Sequence, residues 1–343
     1  MTGTVLALAA LVVLTVAHVL FWRWRLHAPS RPDELLRAPT RDGWSLALGR
    51  RRPRAAPRLP PVLLVHGIAQ NRQAFDFGVE RYSVAAHLAA AGFDCFALDL
   101  RGHGDSRRGP TSRWTLDTYL EEDLPAALDA IRAATGSAQV LYVGHSQGAI
   151  LGMAACALYP ERIRALVALA GPVHFDVQPR LLALLALRRL GLGGHLRRFA
   201  RAVAPFSGFW HPSLVELAMN MRNVERPVYR RLLYNVTEDL QPGVVDQFAT
   251  CIEGDTFRSA DGKVDYRALF PGCRQPALFV AGERDGIAPP AAVEAAFRRW
   301  GGAPKRFWSS GRDYGHADVL LGKNAPEVVF PVVRDFLLEC SAS

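Results

Sequence analysis

Residues Tyr142–Leu151 read YVGHSQGAIL, and this stretch decides how the rest of the chain is read. Ser146 stands between Gly144 and Gly148, after the apolar run of Val140 to Val143 and before an apolar, alanine-rich segment. A serine held at the tip of a sharp strand-to-helix turn needs small neighbours, and the two glycines supply them. Gly148 also lets the following helix pack close to the strand. Ser146 would then stand above the carboxyl ends of the strands. The N–H of Gln147, at the start of the helix, would be aimed at a developing oxyanion. G-x-S-x-G in a strand–turn–helix setting is the pattern of a serine nucleophile.

The setting is borne by the surrounding sequence. Short apolar runs recur in VLLV (Val62–Val65), FDCFALDL (Phe93–Leu100), RALVALAG (Arg164–Gly171), PALFVAG (Pro276–Gly282) and KRFWSS (Lys305–Ser310). Runs of this length bounded by glycine fit strands buried on both faces. Between most of them lie helical patterns such as ERYSVAAHLAAAG, TYLEEDLPAALDAIRAATG and AAVEAAFRRWGG. Strands alternating with helices predict a mostly parallel, doubly wound α/β sheet. TRDGWSLALGRRRP reads as a hairpin turning at Asp42-Gly43. From His174 to Ala249 no strand is expected. The leucine- and arginine-rich segments there predict helices inserted between two strands, as a cap over a site.

A serine nucleophile needs a base, and His316 in GRDYGHADVL follows the last expected strand. The acid belongs in the loop after the preceding strand, where LFVAGERDGIAPP offers Asp285 at the turn. Asp285 would orient the His316 imidazole and stabilise its cation. The order nucleophile, acid, histidine suits this type of sheet. Glu283, Asp313, Asp318 and Asp176 are the other carboxylates in range, and Glu283 is expected to form a salt bridge. A second oxyanion donor is expected from Ile68, in VHGIAQN, where Gly67 permits a close backbone approach. His66 would hold that loop. His145 is not expected to act as the base, since adjacent side chains on such a turn diverge.

The run VLALAALVVLTVAHVLFW, Val5 to Trp22, carries no charge and is long enough to cross a bilayer as a helix. Trp22 and Trp24 fall at its end, where an interfacial aromatic belt would sit. Arg23 and Arg25 follow it, no basic residue precedes it, and no small-residue cleavage site is evident. An uncleaved, single-pass anchor with the main domain on the cytoplasmic side is the expectation. The chain of 343 residues has a net charge of +9, mostly from arginine clusters such as GRRRPRAAPR and LRRFAR. A solvated arginine-rich surface is the expected reading of these clusters, with attraction to anionic lipid or to nucleic acid as the alternatives, and no nucleic-acid-binding motif accompanies them. The five cysteines are odd in number and form no CxxC, which offers neither a disulfide framework nor a zinc site.

HGIAQN, DLRGHGDS, GHSQG, AGERDGIAPP and DYGHADVL resemble the α/β-hydrolase family in order and spacing, over about Arg58 to Leu338. GHSQG with the HG loop before it is similar to the acid-lipase branch. YGHADVLLGKNAPEVVFPVVRDFL resembles both that branch and the polyester synthase/depolymerase-like hydrolases. The resemblance implies ester hydrolysis by a Ser–His–Asp triad under a helical cap, without metal or cofactor. Polyester synthases carry cysteine at the elbow and haloalkane dehalogenases aspartate, so Ser146 favours hydrolysis of an ester, with lipid-like esters first. Acyl transfer to another alcohol would use the same residues. A catalytically silent, membrane-tethered interaction module is a third reading, which the intact triad opposes. The expected organisation is an anchor over 1–26, a linker over 27–39, a first core segment over 40–173, a cap over 174–250 and a second core segment over 251–343.

Overall fold

The computed structural model describes residues 2–53, 59–175, 192–209, 211–213, 215–311 and 313–342. Its centre is an eight-stranded sheet: β1 Glu34–Pro39, β2 Ser45–Arg51, β3 Val62–Val65, β4 Cys95–Asp99, β5 Val140–His145, β6 Ile163–Leu169, β7 Ala277–Ala281 and β8 Lys305–Ser309. The spatial order is β1-β2-β4-β3-β5-β6-β7-β8. β1 and β2 pair antiparallel, as do β2 and β4, and every later pairing is parallel. β3, β4, β5 and β7 are buried along their whole length, as expected of strands covered on both faces.

Helices cover the sheet or, in the case of the first, stand away from it. They include α1 Thr2–Leu26, α2 Val84–Ala90, α3 Leu124–Thr135, α4 Gln147–Leu158, α5 Leu196–Val203, α6 Arg226–Arg231, α7 Pro242–Glu253, α8 Pro290–Arg299 and α9 Ala325–Ala342. α4 is apolar all round, and its residues Gln147 to Cys156 are buried, as a helix laid on the middle of a sheet must be. α3 ends at Gly136, whose φ of 75° closes the helix in the left-handed region. Between β6 and β7 the named elements are all helical, among them α5, α6 and α7. The leucine stripe of Leu181 to Leu192 and the alternative acid Asp176 fall outside the described residues, apart from the backbone of Leu192.

Two expected boundaries shift. The linker over 27–39 gives way at Glu34, because Glu34–Pro39 is strand β1, registered from Glu34↔Arg50 to Pro39↔Ser45. The sequence hid it for a physical reason. β1 is an edge strand with only Ala38 buried, so it shows no apolar run, and its terminal proline is tolerated because an edge has no further partner. The cap boundary at 250 lies inside α7, which continues to Glu253.

α1 projects from this body with residues 4–21 exposed, including Val5 at 63% and Leu14 at 68%. Its C-terminal part is tied down: His18 and Trp22 meet Phe206 and Arg230, and the end of the helix is hydrogen-bonded. Asn235 Nδ2 donates to the Leu26 carbonyl at 2.9 Å, and Asn235 Oδ1 accepts from Ala28 N at 3.2 Å.

Candidate active site

The parallel register aligns Val65 with Gly144 and His145 with Leu169, so the loops after β3, β5 and β6 emerge side by side. Ser146 follows β5 directly with φ 54° and ψ −117°, a conformation that costs a non-glycine residue about 1–3 kcal/mol. It is held by Ser146 N donating to Leu169 O at 2.8 Å and by Ile150 N donating to Ser146 O at 3.0 Å. The flanking glycines are sterically required. A Cβ at Gly144 would strike the Gly148 carbonyl, and one at Gly148 would strike the Val65 carbonyl. Ser146 remains 8% exposed. Gln147 opens α4, so its N–H has no carbonyl one turn back to bond.

The loop after β3 passes immediately beside this turn. A Cβ at Gly67 would lie 3.1 Å from His145 Nδ1 and 3.2 Å from Ser146 Cβ, which brings the Ile68 segment next to the serine. Gly67 N donates to Gln70 Oε1 at 3.0 Å, and Ala69 turns the chain with φ 53°. His66 behaves as a strut. Its Nε2 accepts from Leu100 N at 3.2 Å, which leaves Nδ1–H to donate to Gly67 O at 2.8 Å. Complete burial, and then the neighbouring His103, push its pKa down to about 3, so it stays neutral.

Asp285 and His316 come together from the loops after β7 and β8. His316 Nδ1 and Asp285 Oδ2 are 2.8 Å apart, with the side chains 8% and 0% exposed. The other oxygen, Oδ1, accepts from Ile287 N at 2.8 Å and Ala288 N at 2.7 Å, which fixes the carboxylate plane. Gly282 lets the two loops touch, since a Cβ there would meet the carbonyls of Tyr314 and Gly315, and Arg284 N donates to Tyr314 O at 2.9 Å. The other carboxylates take different roles. Glu283 accepts from Ser309 Oγ at 3.1 Å, and among the described residues it has no partner for the expected salt bridge. Asp313 is exposed.

Asp318 is a scaffold for the histidine loop. It accepts from Gly315 N at 3.0 Å, from Asn220 N at 3.1 Å and from Asn223 Nδ2 at 3.4 Å. Burial raises its pKa to about 6 despite these donors. His145 is a second support that sequence reasoning treated only by exclusion. Its ring lies against the His316 ring, with centroids 4.9 Å apart. His145 Nε2 lies 3.0 Å from the His316 carbonyl oxygen and so carries the hydrogen that it donates. Burial, with His316 adding to it, pushes the His145 pKa down to about 3.

Cap residues complete the frame. Gly286 N donates to Leu217 O at 3.0 Å and Ala317 N to Ala218 O at 2.8 Å, so one short segment clasps both the Asp285 and the His316 loops. Glu238, 2% exposed, accepts from Asn71 Nδ2 at 2.9 Å, and its own N–H donates to Ala69 O at 2.8 Å. No motif announced Asn220, Asn223 or Glu238, because each contacts residues far away in sequence.

A family profile described as alpha/beta hydrolase fold matches residues 60–323, well over half of the chain. A lysosomal acid lipase/cholesteryl ester hydrolase of Macaca fascicularis is 34% identical over 161 residues, covering 42% of this chain and 40% of that protein. Human gastric triacylglycerol lipase is 32% identical over 155 residues, 40% of this chain and 39% of that protein. The chain thus spans about two fifths of the length of these curated relatives. Among solved structures, an enol-lactonase from Burkholderia xenovorans superposes with a TM-score of 0.62 at 20% identity, covering 88% of this chain and 100% of that one. A hydrolase from Pseudomonas aeruginosa gives 0.60 at 22% identity, covering 90% and 99%. These two likenesses speak for the fold.

Proposed function

The chain belongs to the α/β-hydrolase fold family, and from that premise we propose that it is a serine hydrolase of carboxylic esters, working through an acyl-enzyme on Ser146. The observation that supports the reading is the buried His316–Asp285 bond of 2.8 Å, with His316 held against His145, the residue before the strained Ser146. His316 Nε2 takes the Ser146 proton as Oγ attacks the ester carbonyl. The N–H groups of Ile68 and Gln147 stabilise the tetrahedral oxyanion. His316 then protonates the departing alcohol, and a water, deprotonated by the same ring, cleaves the acyl-enzyme. Asp285 keeps the hydrogen on Nδ1 and stabilises the imidazolium.

Lipid-like esters are the substrate class. The names of the acid-lipase and gastric-lipase relatives support this, as does the apolar helix Thr2–Leu26, which would hold the domain at a membrane with its arginine-flanked side cytoplasmic. Ser146→Ala should abolish turnover of a p-nitrophenyl ester and labelling by a fluorophosphonate probe; near-wild-type turnover by the variant would end the proposal. A series of acyl esters of increasing chain length tests the substrate class, with a short-chain optimum counting against lipid. Protease digestion of spheroplasts tests orientation: external cleavage of the main domain would reverse it.

A further inference from the structure

The cap carries a surface that the proposed chemistry does not use. Phe199, Phe206 and Phe209 are 64%, 67% and 72% exposed, an unusual outlay of aromatic area on a water-facing surface. One of these rings lies against the apolar helix α1, and a second is linked to it through an arginine. Phe206 stacks on His18 with ring centroids 5.8 Å apart. The Arg230 guanidinium sits between Phe209 and Trp22, 5.1 Å from one ring centroid and 5.4 Å from the other. Arg226 covers Phe209 as well, at 4.7 Å, and Arg230 Nε is fixed by the Ser207 carbonyl at 2.9 Å.

These contacts place the rings on the axis of α1. Phe209 stands at the level of Trp22. Phe206 stands at the level of His18, four residues nearer the N-terminus and so about 6 Å further along. Val5 to Trp22 spans 18 residues, or about 27 Å of helix, close to the roughly 30 Å of a bilayer's hydrocarbon core. If α1 crosses a bilayer, Trp22 sits at its boundary, and Phe206 is carried about 6 Å inside. That depth is the range in which apolar faces of surface-bound helices lodge. Arg23, Arg25, Arg198 and Arg226 are all exposed; Arg226 covers Phe209, Arg198 precedes Phe199, and Arg23 and Arg25 follow Trp22, so the patch carries positive charge.

We propose that Phe199, Phe206 and Phe209 form a membrane-embedded face of the cap, inserted into one leaflet of an anionic bilayer alongside α1. The inference rests on reading α1 as an anchor. It adds that the domain is not a tethered body free to tumble above the membrane. Its cap is seated in the lipid, and the proposed ester substrate is met at the bilayer surface. The rim arginines then face lipid phosphate, and the Arg230 sandwich locks the cap to the helix at the headgroup level.

The test uses the full chain in nanodiscs of phosphatidylcholine and phosphatidylglycerol. All five native cysteines are buried, so a single introduced cysteine takes a nitroxide label selectively. Labels go at Leu14→Cys, Phe206→Cys, Phe209→Cys and Glu161→Cys. Glu161 is exposed in the loop between α4 and β6, at the opposite end of the sheet from the site. Collision with oxygen reports lipid, and collision with an aqueous nickel chelate reports water. The 206 and 209 labels should collide with nickel at least about fivefold less than the 161 label, and with oxygen as readily as the 14 label, as for side chains inside the headgroup boundary. A lipid signal at 14 with a water signal at 206 and 209 overturns the seated cap and leaves the anchor standing. Low collision with both reagents at 206 and 209 means that protein covers the patch, and also overturns it. A water signal at 14 removes the anchor and this inference together, while the ester chemistry stays open to its own test.

Discussion

Replacing Asp285 by asparagine separates the chemistry of the site from its architecture. The carboxylate accepts three hydrogen bonds: Ile287 N and Ala288 N on Oδ1, and His316 Nδ1 on Oδ2. Asparagine is nearly isosteric, and its carbonyl can keep the two backbone donors. Its amide nitrogen would then face His316 Nδ1 as a donor. The ring must answer as an acceptor, which moves its hydrogen to Nε2. A histidine in that tautomer cannot take the Ser146 proton. Stability should therefore change little, within about 1 kcal/mol, since the loss of a charge-assisted hydrogen bond is offset by a new bond of opposite direction and by the relief of a buried, desolvated carboxylate. kcat should fall about ten-thousand-fold, the scale of the same change in a serine-protease triad. That is about 5 kcal/mol of transition-state stabilisation at 1.36 kcal/mol per tenfold. Urea unfolding and p-nitrophenyl ester kinetics on one preparation measure both quantities. An asparagine variant that folds normally and keeps more than a tenth of wild-type kcat would refute the tautomer argument and remove Asp285 from the proposed role.

Further expectations follow from the same geometry. Asp318 titrates at about 6 in the folded chain against an ordinary 3.8, so the folded state holds the proton more tightly and stability falls as pH rises from about 4 to 6. Asp318→Asn should flatten the stability profile over that interval by about 3 kcal/mol, two pH units at 1.36 kcal/mol each, while kcat at pH 7 stays within about tenfold; an unchanged slope in urea titrations would count against it. Gly148→Ala drives a methyl into the Val65 carbonyl, which should cost about 1–3 kcal/mol or more in unfolding and abolish fluorophosphonate labelling; a fully labelled, equally stable variant would contradict the packing. Phe206→Ser with Phe209→Ser should leave hydrolysis of a water-soluble ester unchanged and slow that of a vesicle-borne ester by about tenfold, from lost apolar burial in lipid; equal rates on both would tell against a seated cap.

The buried half of the molecule was legible because burial writes itself into sequence. β3, β5 and β7 are uninterrupted apolar runs, and Gly144 and Gly148 flank the serine because nothing larger fits there. Asp285 and His316 could be picked out by their order along the chain. β1 was missed because an edge strand with one buried side chain has no pattern to show. The supports of the site were hidden for another reason. Asn220 with Asp318 and Glu238 with Asn71 are polar pairs from distant segments, and no local spacing encodes such a contact. His145 could be excluded as the base from the sequence, but its bond to the His316 carbonyl is another contact between distant segments that no local spacing encodes.

The segment Val215–Asn220 sits in the cap by sequence, yet its carbonyls and N–H groups bond the Asp285 loop, the His316 loop and Asp318. The cap is therefore not an interchangeable part. Grafting the insertion from a relative to change substrate preference would withdraw Leu217 O from Gly286 and Ala218 O from Ala317, and the acid and base would lose their shared brace. A chimera that keeps residues 215–223 and exchanges only what precedes them leaves the brace in place. Changes of selectivity in this scaffold are therefore best sought in the residues that precede Val215, with the clasp treated as part of the core.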